Sequence, residues 1–555
     1  MHLSQPVRAA LTLSLAAAAA CGTSSVSTSP APATAPVPGA PAIATPKPLP
    51  PVPAVDGPLA VRIAYPAPNQ VITSRDSNFI FGSIGSGRAA LTINGMPVKV
   101  APNGAFLAYL VNPSGATPRY DIVATRGSDS ARLGLPVRFA APRTVAAIPE
   151  TPDRKPEALP TSRADTIVAL NTRIDSLRTQ LARNEPIGVV MVGTAAAADT
   201  DRTIVGRPIV AGTYKWFFTP GTIVPLVSRG DGFARVRLDS ELDVYVDSAQ
   251  VSEAPAGTVV PRRALSNMRT RPSSMGVDVI MPIGARAPYF VEEGDRSITI
   301  TLYGVRGNTD IVNYAAGDSM VRTVEWAQVS NERTRVTVSL RAAPYGYLVL
   351  WENNNLILKL RGRPAINAAR PLSGLTIAVD AGHPPGGASG PTGLTESGTT
   401  LPISIALKRI LEERGATVVM TRATPDAVAL EDRPIIARKA NAHAFVSIHL
   451  NAYPDGVNPF VNSGTGTYFF RSHSEPLARE VQRGMVAQLS LPDLGVNYDN
   501  LAVVRGTWYP AVLCEGAFLM IPEWEAALRT SEYQARYALG VADGLEAYFR
   551  ALPSR

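Results

Sequence analysis

Thr376-Ile-Ala-Val-Asp-Ala-Gly-His383 and Ala444-Phe-Val-Ser-Ile-His449 decide how the C-terminal third of this chain is read. Each is an apolar run too short for a typical helix, and each closes on polar groups: Asp380 and His383 in the first, His449 in the second. Such runs are buried strands. Ala416 to Thr421, Thr465 to Phe470 and Pro510 to Glu515 fit the same description. Between the runs, apolar residues recur at helical spacing, as in Ile403, Ala406, Leu407, Ile410 and Leu411, and again in Leu477, Val481, Met485 and Leu489. Strand alternating with helix predicts an α/β domain over residues 372–552, with a mostly parallel sheet covered by helices.

In open α/β sheets ligands bind at the carboxyl ends of the strands. His383 lies just past one strand end, while His449 and Glu515 close two others. Glu396 follows a Gly-rich loop and is expected at the start of the next helix. Two imidazoles and one carboxylate around an open position suit a catalytic zinc ion, which makes His383, Glu396 and His449 the candidate ligands. Glu515 is placed to take a proton from water and pass it to a leaving amine. Asp380 is expected to orient His383, and Arg433 to pair with a carboxylate near the site. His443 and His473 sit in polar surroundings and are expected at the surface.

Further residues extend the pattern: Asp380-x-Gly382-His383, Gly393-Leu-x-Glu396, Thr421-Arg422 with Asp426, Leu430 and Arg433, Ala440-Asn441, Ser447-Ile-His-x-Asn-Ala452, Gly466-Thr-Tyr468 and Pro510-Ala-Val-Leu-x-Glu515. In this order the stretch from Leu372 to about Arg550 resembles the zinc-dependent N-acetylmuramoyl-L-alanine amidases of the type-three family. The resemblance implies one zinc ion held by His383, Glu396 and His449, with Glu515 as general base. It places Asp380, Asn451 and Arg433 in the supporting shell or on the substrate side. It implies peptidoglycan as substrate, cut between the lactyl group of muramic acid and the first L-alanine, for wall remodelling or daughter-cell separation. Two features depart from the family. Pro384-Pro385-Gly386-Gly387 follows the first histidine, with no acid before Glu396, and Phe518 leads to Leu519-Met520-Ile521. Between His449 and Glu515 one strand and one helix are expected, with no inhibitory helix added. The competing readings are an inactive wall-binding lipoprotein scaffold and a zinc peptidase acting on the stem peptide.

Upstream, several cores are expected, because 555 residues exceed what one core supports. Arg8 precedes an apolar stretch, Ala9 to Ala20, that ends at Cys21. Residues 1–21 read as an export signal with a lipoprotein-like cysteine, and the apolar stretch is too short to span a bilayer. Periplasmic location with a lipid anchor on Cys21 follows as an expectation, in the outer membrane where there are two, with plain secretion as the alternative. Residues 22–57, rich in Pro, Ala and Thr, read as a disordered tether.

Residues 58–142 alternate around Asn94-Gly95 and predict an immunoglobulin-like sandwich. Residues 143–185 read as a linker, in which Ile167, Leu170, Ile174, Leu177 and Leu181 mark a short amphipathic helix. Residues 186–255 resemble a small Src-homology-3-like barrel, and 263–363 resemble the amidase N-terminal module. Binding to the wall or the division machinery is expected of these modules. The net charge of +8, from 53 Lys and Arg against 45 Asp and Glu, is scattered, so nucleic acid is not an expected partner. Cys21 and Cys514 are the only cysteines, which excludes a disulfide framework and leaves Cys514 as a small apolar core residue.

Overall fold

The two runs that close on Asp380 and His449 form neighbouring strands at the centre of one sheet. The structure is a computed structural model that describes residues 47–140, 185–193 and 203–553. The expected export signal with Cys21, most of the tether and the amphipathic helix over 167–181 lie outside the described residues. The C-terminal region contains, in order, β1 (Thr376–Ala381), α1 (Glu396–Glu413), β2 (Thr417–Met420), α2 (Asp432–Lys439), β3 (Ala444–Asn451), β4 (Thr465–Phe469), α3 (Glu475–Leu489), β5 (Asp493–Tyr498), β6 (Ala511–Phe518), α4 (Pro522–Leu528) and α5 (Ser531–Ala551).

The strand order is β2-β1-β3-β6-β4-β5. β2, β1, β3 and β6 are mutually parallel. β4 runs antiparallel to β6, and β5 lies parallel to β4 at the edge. The sheet is therefore mixed: four of its pairings are parallel, in keeping with the mostly parallel sheet expected from the sequence, and the antiparallel β4–β6 pairing was not expected. A period of two fixes which face a residue occupies and leaves strand direction open. β5 went unread because Asp493-Leu-Gly-Val-Asn-Tyr498 is polar and only half-buried, as an edge strand can be.

Helices α1, α3 and α5 cover one face. Ile403, Leu407 and Leu411 of α1, Leu477 and Val481 of α3, and Val541 and Leu545 of α5 pack with Ile377, Val379, Val446, Ile448 and Cys514 of the sheet. Helices α3 and α5 touch through glycine: a Cβ on Gly484 would stand 2.1 Å from the Gly540 carbonyl oxygen. On the other face Ala378, Phe445 and Leu513 pack under Ala437 of α2 and under Val503, Val504, Trp508 and Tyr509.

The first module has a three-stranded sheet (Arg62–Tyr65, Ser77–Ser83, Ala105–Val111) facing a four-stranded one (Met96–Val98, Ala90–Ile93, Arg119–Arg126, Asp129–Pro136). Asn94 and Gly95 both take positive φ at its hairpin, 51° and 77°, as a type I′ turn requires. Ile80, Leu91, Phe106 and Tyr120 fill its core. The alternate residues Phe79, Phe81 and Leu107 join the core of the C-terminal region instead. Asp455, six residues beyond His449, accepts hydrogen bonds from Thr73 N (2.7 Å), Thr73 Oγ1 (3.0 Å) and the Tyr65 hydroxyl. Residues 47–57, read from the sequence as tether, are seated in part on this body: Arg536 donates to the carbonyls of Lys47 (3.0 Å) and Pro48 (2.9 Å).

The second module is a five-stranded antiparallel sheet within Gly188–Glu253. Two of its segments, Ile204–Gly206 and Trp216–Phe218, pair with each other and extend a sheet of the third module, Phe217 standing opposite Tyr289. Strand pairing thus crosses the boundary drawn between the two modules. The third module packs two sheets face to face, and the alternating residues Ile298, Ile300, Leu302, Val336, Val338, Leu356, Leu358 and Leu360 form its core. It is joined to the C-terminal region by Arg361, 1% exposed, which donates to the carbonyls of Asn441, Ala442 and Trp508.

The same junction corrects the expected positions of two histidines. His473 is buried, with Nδ1 3.1 Å from Glu293 Oε2. His443 is half-buried, and its Nδ1 accepts from Thr376 N at 2.9 Å. Burial and the nearby Arg361 push His443 down to about 4. Burial alone would raise the Glu293 carboxyl, but His473, Arg471 and the Tyr347 hydroxyl bring it down to about 2. A depressed carboxylate stabilises the fold above its ordinary value of 4.5 and stops doing so as pH falls to about 2. Melting temperatures of Glu293→Gln and the parent chain are therefore expected to differ above pH 4.5 and to converge on acidification, which a pH series of melts checks.

Candidate metal centre

β1 ends at Ala381, and the chain turns at Gly382 and His383, whose φ of 55° lies in the left-handed region. His383 Nδ1 lies 2.8 Å from the Pro385 carbonyl oxygen, and since a carbonyl only accepts, Nδ1 carries the proton and donates. The lone pair of Nε2 is thereby left free, and Nε2 points at Glu396 Oε2, 3.3 Å away. Glu396 begins α1 behind the Thr395 cap, is 3% exposed, and accepts from Ala388 N (2.8 Å) and Leu450 N (3.0 Å). Its Oε1 lies 3.0 Å from His449 Nδ1. Ligand atoms of His383, Glu396 and His449 all fall within 4.8 Å of one another.

Two glycines allow this convergence. A Cβ on Gly382 would stand 2.6 Å from His449 Nε2, and one on Gly387 would stand 3.0 Å from His383 Cγ. Either side chain would displace an imidazole. Burial tends to raise the Glu396 carboxyl, but its contacts with the two imidazoles hold it far below the usual range. The Glu396 contact raises His383 against the opposing effect of burial. The cluster is thus a buried anion gripped by two rings, a donor set that suits a divalent cation.

Glu515 stands opposite His449 in the parallel β3–β6 register. Its Oε2 is shut away from solvent without a hydrogen-bond partner. Burial, reinforced by the Glu396 carboxylate, pushes its carboxyl well above the ordinary range. Tyr468 of β4, hydrogen-bonded to Asn451, is raised by burial and by the nearby Glu515 carboxylate. Asn451, two residues beyond His449 on β3, is thus tied through Tyr468 to the Glu515 side of the site.

Asp380 does not make the contact expected with His383. Its oxygens accept from Arg433 Nη1 (3.0 Å), Ser447 Oγ (2.6 Å) and Thr421 Oγ1, and Pro385 takes the orienting role. Arg433 pairs with Asp380, both side chains at most 1% exposed, and braces the turn by donating to the carbonyls of Ala381 and Pro384. Removing one partner of a buried ion pair costs about 3–5 kcal/mol. Asp380→Ala is expected to lose stability on that scale, measured by chemical denaturation.

Two further braces were given no role in the sequence reading, although Arg422 belongs to the pattern quoted there. Arg422 donates to the carbonyls of Ala381, Gly382 and Ser397. Glu525 of α4, fully buried, accepts from Thr392 N and Leu394 N and so fixes the loop that delivers Glu396. Nothing local in Pro522-Glu-Trp-Glu525 signals this, because the partners lie about 130 residues upstream.

The family described as N-acetylmuramoyl-L-alanine amidase matches residues 377–547, which contain the whole cluster and Glu515. A probable cell wall amidase, LytH of Staphylococcus epidermidis, is 30% identical over 234 residues, covering 41% of this chain and 72% of that protein. The chain belongs to this amidase family. The amidase is also 34% identical over 208 residues to an uncharacterised protein, YqiI of Bacillus subtilis, covering 36% of this chain and 98% of that one. Among solved structures, the amidase AmiC2 of Nostoc punctiforme is 33% identical with a TM-score of 0.30, covering 32% of this chain and 98% of the other. The family match lies wholly within the C-terminal region of the amidase.

Proposed function

We propose that the amidase is a zinc-dependent hydrolase that cuts peptidoglycan between N-acetylmuramic acid and L-alanine. The observation that carries this reading is the meeting of His383, Glu396 and His449 beside the unpartnered Glu515 Oε2. The donors suit the ion: ligand atoms about 2.0–2.1 Å from a tetrahedral zinc stand about 3.3 Å apart, the two imidazoles lie 3.3 and 3.0 Å from the two Glu396 oxygens, and all three ligand atoms lie within 4.8 Å of one another. Bound zinc would supply a Lewis acid for the scissile carbonyl and acidify the attacking water.

The chain's own residues perform the rest. Glu515 takes the proton of the water that attacks the lactyl carbonyl and delivers it to the L-alanine nitrogen as the amide bond breaks. No hydrogen-bond donor competes for Oε2, and Tyr468 and Asn451 line that side of the base. Pro385, Arg433 and Arg422 hold the turn that aims His383. The run Ala18-Ala19-Ala20-Cys21 supports a lipid anchor in the periplasm, with wall attachment through the β-modules.

Digesting purified peptidoglycan with the full chain and identifying the new amino terminus tests the reading. L-Alanine is the expected terminus. Another residue would make the protein a peptidase, and no terminus would make it a scaffold.

A further inference from the structure

A cavity of about 520 Å³ opens between the second module, the third module and the face of the C-terminal region covered by α2. Arg207, Arg471 and Arg505 line it from three separate segments, and a fourth arginine in its wall, Arg438 of α2, has a partner of its own. The guanidinium carbons of Arg505 and Arg207 stand 3.6 and 4.2 Å from the ring centre of Tyr214, and that of Arg471 stands 4.8 Å from Phe470. Among the described residues no carboxylate pairs with any of the three. Arg207 donates to the Gly212 carbonyl, Arg471 to the Arg505 carbonyl and Arg505 to Asn500. Two acids also line the cavity: Asp247 caps Ala249 N, and Glu431 is exposed. Glu293, the buried carboxylate that feels Arg471, is already bonded to His473 and Tyr347.

The guanidiniums of Arg207, Arg471 and Arg505 share a half-enclosed space and repel one another, and burial together with Arg207 and Arg471 makes Arg505 easier to deprotonate than usual. Guanidinium is the side chain best shaped for a planar oxyanion, and aromatic walls suit the body that carries it. The volume suits a ligand of a few residues. Helix α2 connects this cavity to the metal cluster. Pro434 and Ile435 line the cavity, while the preceding residue, Arg433, bonds Asp380 and the Pro384 carbonyl next to His383.

We propose that this cavity is a second substrate site, in which Arg207, Arg471 and Arg505 bind a free carboxylate of a peptidoglycan stem peptide. The assignment rests on the amidase reading. It places a peptide of the wall against three elements that belong to three modules, so the β-modules contribute directly to substrate recognition. Inorganic phosphate shares the oxyanion chemistry and is the alternative source.

The test is calorimetric titration of the full chain with an L-alanine-initiated stem peptide, with the same peptide after amidation of its carboxyls, and with inorganic phosphate. The free peptide is expected to bind at least about tenfold more tightly than the amidated one, the scale of one charge-assisted hydrogen bond. That advantage is expected to vanish in Arg471→Gln/Arg505→Gln and to shrink in Arg207→Gln. Equal affinity of the parent chain for both peptides overturns the proposal. So does an undiminished advantage in a variant that melts as the parent does, or tight phosphate binding that the peptide cannot displace. If the double variant does not fold, the parent comparison and Arg207→Gln still decide. The peptide contains no muramoyl amide, so its binding does not depend on turnover. Failure to release L-alanine termini would defeat the amidase reading and leave this titration informative.

Discussion

Glu515→Gln is expected to keep the metal content of the parent chain and to lower peptidoglycan turnover by about 10²–10⁴-fold, the range that a positioned general base contributes. Glutamine has the shape of glutamate and cannot accept the water proton. The substitution removes no hydrogen bond at Oε2, because that atom has none. Glu515 is also absent from the three-residue cluster, so the ligands remain in place. Elemental analysis beside a wall-lysis assay checks both halves. Equal loss of metal and activity would move Glu515 from base to ligand.

His449→Ala is expected to do more. It removes one of three ligands, so metal content should fall from about one ion per chain toward none, and turnover should fall at least as far as in Glu515→Gln. The strand itself should persist, because its bonds are to the backbone: Tyr537 donates to the His449 carbonyl at 3.1 Å and Leu450 N to Glu396 at 3.0 Å. Circular dichroism close to that of the parent, with the metal gone, is the expected pair of results. A folded variant that retains its ion would show that His449 is not a ligand.

The site was more legible in the sequence than its supports were. His383, His449 and Glu515 could be brought together because each lies at or just past the end of an apolar run, and parallel strands put such ends on one edge. Glu396 joined them because a helix beginning after a Gly-rich loop starts at that same edge. Long-range polar contacts leave no such trace. Glu525 is a surface-like acid in its local sequence and a buried acceptor for Thr392 and Leu394 in the fold. His473 looked exposed because its polar partner, Glu293, belongs to another module. Antiparallel β4 and the strands that cross from the second module into the third were missed for one reason. Alternation assigns a residue to a face and says nothing of which strand lies beside it.

Anomalous diffraction at the zinc edge, from crystals of the full chain grown with equimolar zinc, tests the central claim most directly. One peak within bonding distance of His383, Glu396 and His449 is the predicted result. A peak elsewhere, or none among these three side chains, would contradict it.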